Sequence, residues 1–281
     1  MTERFGARLR RAMDTRGPLC VGIDPHPGLL GAWGLTDDVP GLERFTHTVV
    51  EALAGRVAVL KPQSAFFERF GSRGVAVLER AVADARDAGA LVVMDAKRGD
   101  IGSTMEAYAA AYLNPGAPLC SDAVTLSPYL GFGSLRPALE LAREHGRGAF
   151  VLALTSNPEG AEVQHALRGA GGPSVAAGVL ERLAAENAGA EPLGSFGAVV
   201  GATLGDAAAR LGADLSINGP LLAPGLGAQG ATAADLPRVF GDAAGQVLPS
   251  VSRSVLRHGP SVTALREAAA AQAAELAAVL P

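Results

Sequence analysis

Cysteine is scarce in this chain: two among 281 residues, Cys20 and Cys120, far apart and in no C-x-x-C pair. That spacing leaves disulfide frameworks, zinc ribbons and redox dithiols without support, and two packed thiols in a reduced, cytoplasmic protein are expected. The five histidines, His26, His47, His145, His165 and His258, show no metal-ligand spacing. No apolar run approaches the ~18 residues that a membrane span needs. Neither charge sign dominates: the net charge is −4, so nothing electrostatic favours nucleic acid or an anionic membrane as partner. Aromatic residues make up only 5%, and Tyr108, Tyr112 and Tyr129 read as packing residues.

What the chain has instead is alanine and glycine, within a hydrophobic content of 48%. Small residues suit close packing of helices on a sheet. The length allows two domains of ordinary size or one α/β barrel of about 250 residues. The basic start from Thr2 to Arg16 resembles a transit peptide only superficially, because Glu3 and Asp14 interrupt it and no apolar h-region follows. Phe5, Leu9 and Met13 recur every fourth residue, which predicts a helix over about 2–16 packed on the body of the protein.

Short β-like runs alternate with longer helical ones. Eight strands are expected: Leu19–Asp24, Val57–Lys61, Leu91–Asp95, Ala123–Leu126, Ala149–Leu154, Ala198–Gly201, Leu221–Ala223 and Val247–Val251. Pro220 and Pro224 crowd the seventh. Runs such as Gly74–Ala88 and Leu135–His145 fill the gaps with helix formers. Strand–helix alternation implies parallel strands, and eight such units favour a closed (β/α)8 TIM barrel in a single domain, 1–281. Residues 155–197 form a longer connection, expected as an extended loop with its own helix near Val175–Asn187. The alanine-rich stretch Ser261–Leu280 predicts a closing helix.

In such a barrel the chemistry lies at the C-terminal ends of the strands. The unusual polar residues fall there: Asp24 after the first strand, Lys61 and Gln63 at the second, Asp95 and Lys97 at the third, Thr125 and Ser127 at the fourth. Asp95 and Lys97, two apart, face the same way on a continuing strand, with Lys61 on the neighbouring one. They form an alternating ring of charge. Opposite charges about 4 Å apart attract by roughly 4 kcal/mol at an effective dielectric near 20, enough to hold Lys97 charged and aimed. A structural ion-pair plug at the barrel mouth is the plainer alternative. Asp100 lies too far along to share that face, and either turns back through Gly99 or reaches another site. The run Gly225-Leu226-Gly227-Ala228-Gln229-Gly230 and, after the next strand, Ser252-Arg253 occupy the usual phosphate cradle of barrels. Ser127 and Gln229 are uncharged hydrogen-bonding groups suited to a polar ring, or equally to loop caps. No Ser-His-Asp arrangement can be assembled from the strand ends.

The string Asp95-Ala96-Lys97-Arg98-Gly99-Asp100-Ile101-Gly102-Ser103-Thr104 resembles the signature of the orotidine 5′-phosphate decarboxylase family, most of all its longer bacterial (type 2) branch. Gly22-Ile23-Asp24-Pro25, Leu60-Lys61-Pro62-Gln63, Leu126-Ser127-Pro128-Tyr129, Pro224–Gly230 and Ser252-Arg253 extend the likeness over nearly the whole chain. The resemblance implies a cofactor-free decarboxylase converting orotidine 5′-phosphate to UMP, with Lys97 as proton donor in a tetrad with Lys61, Asp95 and Asp100. It implies that Asp24 contacts ribose, Ser127 the pyrimidine, and Gly227, Gln229, Ser252 and Arg253 the phosphate. It also implies a homodimer in which Asp100 and Thr104 serve the partner's site. Ser252 stands where many members outside this branch have glycine. Rivals remain. A magnesium-dependent sugar-phosphate decarboxylase or aldolase would want a carboxylate at the end of the second strand, where this chain has Lys61. A Schiff-base aldolase would want a neutral lysine, whereas flanking carboxylates favour the charged one. An inactive phosphate-ligand-binding barrel is the third.

Overall fold

The computed structural model describes residues 3–227 and 230–281. Eight parallel strands close into a barrel in sequence order. They are β1 (Cys20–Ile23), β2 (Val59–Pro62), β3 (Leu91–Arg98), β4 (Ala123–Leu126), β5 (Gly148–Leu154), β6 (Phe196–Val200), β7 (Leu221–Pro224) and β8 (Val247–Val251), with β8 pairing back onto β1. The prolines around β7 are tolerated because they serve as acceptors: the Pro220 carbonyl takes the Ala198 N–H and the Pro224 carbonyl takes that of Ala202. A proline lacks only the donor half of the ladder.

Nine helices matter for the architecture: α1 (Phe5–Arg16), α2 (Val39–Leu53), α3 (Gly71–Asp87), α4 (Gly102–Leu113), α5 (Arg136–Glu144), α6 (Val175–Glu186), α7 (Ala207–Arg210), α8 (Leu236–Phe240) and α9 (Val262–Ala277). From α2 onward each follows a strand and covers the outer wall. Among the described residues no helix is long and apolar enough to cross a membrane.

Strand period two divides the core. Outward positions such as Leu60, Val92, Val124 and Val151 pack under the helices. Inward positions Cys20, Val59, Val93, Ala123, Phe150, Val199, Leu222 and Leu248 fill the barrel interior, together with Phe5, Leu9 and Met13 of α1. Helix α1 therefore plugs the floor. Phe5 meets Phe150 edge to face at 6.0 Å. Arg8 and Arg147 both pair with buried Asp122, at 2.5 and 3.0 Å, and the other Asp122 oxygen accepts from Val92 N.

The connection after β5 carries a short helix, Gly160–Gln164, and an antiparallel bridge between Leu167 and Ser174 before α6. Gln164 folds back on the end of β5, accepting from Thr155 N at 2.8 Å and donating to Thr155 Oγ1 at 2.7 Å.

Candidate active site

One step of two residues beyond the apolar interior layer, the inward positions change character. Val59 is followed by Lys61, Val93 by Asp95, Ala123 by Thr125, and Leu248 by Ser250. All four line a cavity of about 710 Å³ at the C-terminal mouth. Its apolar wall comes from Leu152, Val199, Leu222 and Val251, and its rim from Asp24, His26, Gln63, Phe66, Lys97 and Thr155.

Asp95 is the hub. Its Oδ2 accepts from Lys61 Nζ at 3.0 Å, and its Oδ1 from Lys97 Nζ at 2.5 Å and Thr125 Oγ1 at 3.0 Å. Burial alone would push its pKa up, but Lys61 and Lys97 outweigh that and hold it below the ordinary carboxylate range. Burial would likewise discharge Lys61, yet Asp95, with Asp24 and Cys20 adding, raises it above the ordinary lysine range. The ring expected from the strand ends is therefore assembled, with a carboxylate between two ammonium groups. Cys20 lies beneath it, its thiol pushed by burial to about 12, an inert packing residue like buried Cys120.

Asp24 Oδ1 and Ser252 Oγ are buried with no hydrogen-bond partner among the described residues, and both residues line the cavity. Unpaired buried polar atoms are costly: the Asp24 carboxylate oxygen suits a ligand hydroxyl, and the Ser252 hydroxyl, which can donate, suits an anionic oxygen. Arg253 and Leu226 line the same cavity, and Gly227 adjoins Arg253 in a neighbouring depression. Gly225, Gly227 and Gly230 have φ of +113°, +70° and +101°, so this turn demands glycine. Gln229 lies outside the described residues.

Besides Gly227, three expected residues are not brought to this cavity. Ser127 is not among its lining residues; its N–H is bonded to the Arg98 carbonyl at 2.8 Å. Thr125, from the same strand end, and Thr155, after β5, do line the cavity. Asp100 and Thr104 stay outside, and Asp100 Oδ1 accepts from its neighbour Ile101 N at 2.8 Å. Tyr129, expected to pack, is 77% exposed, beside Leu130 at 53%. His26 combines two roles: its Nδ1 caps the turn by accepting from Gly28 N at 3.1 Å, and its ring stands at the cavity rim. Among the described residues no three His, Cys, Asp or Glu side chains converge as metal ligands.

The family model for orotidine 5′-phosphate decarboxylase / HUMPS matches residues 17–268. The chain belongs to that family. It is 75% identical over 274 residues to the orotidine 5′-phosphate decarboxylase of Streptomyces coelicolor, covering 98% of this chain and 97% of the relative. It is 66% identical over 267 residues to that of Salinispora arenicola, covering 95% of each. A crystal structure from Streptomyces avermitilis, provisionally assigned as orotidine 5′-phosphate decarboxylase, superposes with a TM-score of 0.96 at 73% identity, over 99% of this chain and 96% of that one. Within an orotidine 5′-phosphate decarboxylase fold the Lys61–Asp95–Lys97 ring lies where strand ends gather catalytic groups.

Proposed function

We propose that this cavity decarboxylates orotidine 5′-phosphate to UMP without a metal or organic cofactor. The observation that carries the reading is the Lys61–Asp95–Lys97 ring, buried on the Lys61 side and open to the cavity at Lys97. Breaking the bond from C6 to the carboxylate leaves its electron pair on C6, in the ring plane and out of conjugation with the carbonyls. No ordinary electron sink exists there, so stabilisation is electrostatic. The Lys97 ammonium offers a fixed cation beside C6 and then the proton that converts the carbanion to UMP. Asp95 holds that ammonium and repels the departing carboxylate. Asp24 accepts from ribose hydroxyls, while Arg253, Ser252 and the glycine turn hold the phosphate. That remote binding energy helps to position C6.

The cavity of one chain lacks the fourth charge. Asp100 and Thr104 do not line it; Thr104 is exposed, as is Ile101 beside Asp100 at 63%, and Tyr129 and Leu130 add exposed apolar side chains after the neighbouring strand. Such a patch suits a second copy. In a homodimer Asp100 and Thr104 would complete the partner's site. A magnesium-dependent sugar-phosphate reaction fits less well, because the end of β2 offers the ammonium of Lys61.

The test is ultraviolet absorbance of orotidine 5′-phosphate mixed with EDTA-treated protein. Steady conversion at the untreated rate is expected. Turnover that appears only when a metal is restored would contradict the proposal.

A further inference from the structure

We infer that Thr125 is a positioning residue that sets the aim of Lys97. The inference rests on the decarboxylase reading of the site. In the β3–β4 ladder Met94 pairs with Val124 and Arg98 with Leu126, so Asp95, Ala96 and Lys97 stand opposite a single residue, Thr125. That excess makes a bulge, and bulges re-aim side chains while leaving ladder groups unpaired. Lys97 pays the conformational cost: its φ is +49°, in the left-handed region that a lysine seldom occupies. Something must hold it there, and the Thr125 hydroxyl does. Thr125 Oγ1 accepts from Lys97 N at 2.9 Å and donates its only proton to Asp95 Oδ1 at 3.0 Å.

One oxygen thus fixes both ends of the donor. It ties down the strained backbone of Lys97 and orients the carboxylate to which Lys97 Nζ is bonded at 2.5 Å. Thr125 is 1% exposed, and its single proton is committed, so it acts through its two neighbours. Burial also makes the hydroxyl hard to replace by water. Threonine is the only polar residue in the strand Ala123-Val124-Thr125-Leu126.

The experiment compares Thr125→Val, which keeps the shape and removes the hydroxyl, with Thr125→Ser, which keeps the hydroxyl. Turnover of orotidine 5′-phosphate is measured, together with exchange of the C6 proton of UMP in deuterated water followed by NMR. By microscopic reversibility that exchange reads proton transfer at C6 alone. For Thr125→Val we expect kcat and the exchange rate to fall by ~10- to 100-fold. KM and the affinity for UMP should stay within about twofold, and Thr125→Ser should recover most of the rate. Valine at the parent rate, serine as impaired as valine, or a loss confined to KM would overturn the inference. If the valine variant does not fold, Thr125→Ala set against Thr125→Ser makes the same comparison. Absence of turnover and exchange in the parent protein would sink the decarboxylase reading instead.

Discussion

Asp95 accepts from Lys61, Lys97 and Thr125 at once, and its removal would leave two ammonium groups facing each other, one of them buried. Breaking a buried pair from one side costs about 3–5 kcal/mol, more than the pair contributes when intact. Asp95→Asn should therefore lower the melting temperature by roughly 5–10 °C, as read by a thermal melt. An unchanged midpoint would mean that the lysines relax into water. The pH dependence has a definite sign. Asp95 is shifted down, so its contribution is present above its unfolded value near 3.8 and fades as pH falls towards the lower folded value. Lys61 is shifted up, so its contribution is complete below 10.5 and fades only above that. The gap between parent and Asp95→Asn should stay level across neutral pH and narrow below 3.8. These charges were legible in the sequence because a carboxylate and two lysines at the ends of apolar strands are costly unless used. Thr125 was not. Its bonds depend on the bulge that sets three residues of β3 against one of β4, and no residue pattern announces that register.

At the scale of elements, alternation was enough to place all eight strands, because each apolar run is short and followed by helix formers. Their exact ends were harder. β3 runs on to Arg98, since its bulge lets the strand continue through Lys97. The clearest mechanical dependence is that of α1 on Gly148. A Cβ there would lie 2.2 Å from Phe5 Cδ1, so any side chain must expel the ring that plugs the floor. Gly148→Ala should destabilise the fold by about 1–3 kcal/mol, the usual cost of overpacking, while protein that remains folded keeps its turnover. The active cavity opens at the other end of the barrel. A melting temperature equal to the parent's would show that α1 shifts without cost.

For the whole molecule the question is whether one barrel is a complete catalyst. The cavity holds Lys61, Asp95 and Lys97, whereas Asp100 and Thr104 lie outside it beside exposed Ile101. The sequence showed that Asp100 could not share the strand face; only the family likeness suggested where it goes. Exposed Tyr129 and Leu130 had no signature, because an apolar residue looks the same whether it packs within a chain or between two. The proposed chemistry needs Lys97 as proton donor within a site that a second copy completes. Mixing Lys97→Ala with Asp100→Asn under conditions of subunit exchange tests it most directly, with orotidine 5′-phosphate turnover as the readout. Each variant alone should be nearly inactive, and Lys97→Ala should still bind UMP. An equal mixture should recover about a quarter of the parent rate, since half of the dimers are mixed and each mixed dimer has one intact site. Substantial turnover by Lys97→Ala alone would rule out Lys97 as the donor, and no recovery at any mixing ratio would rule out a shared site.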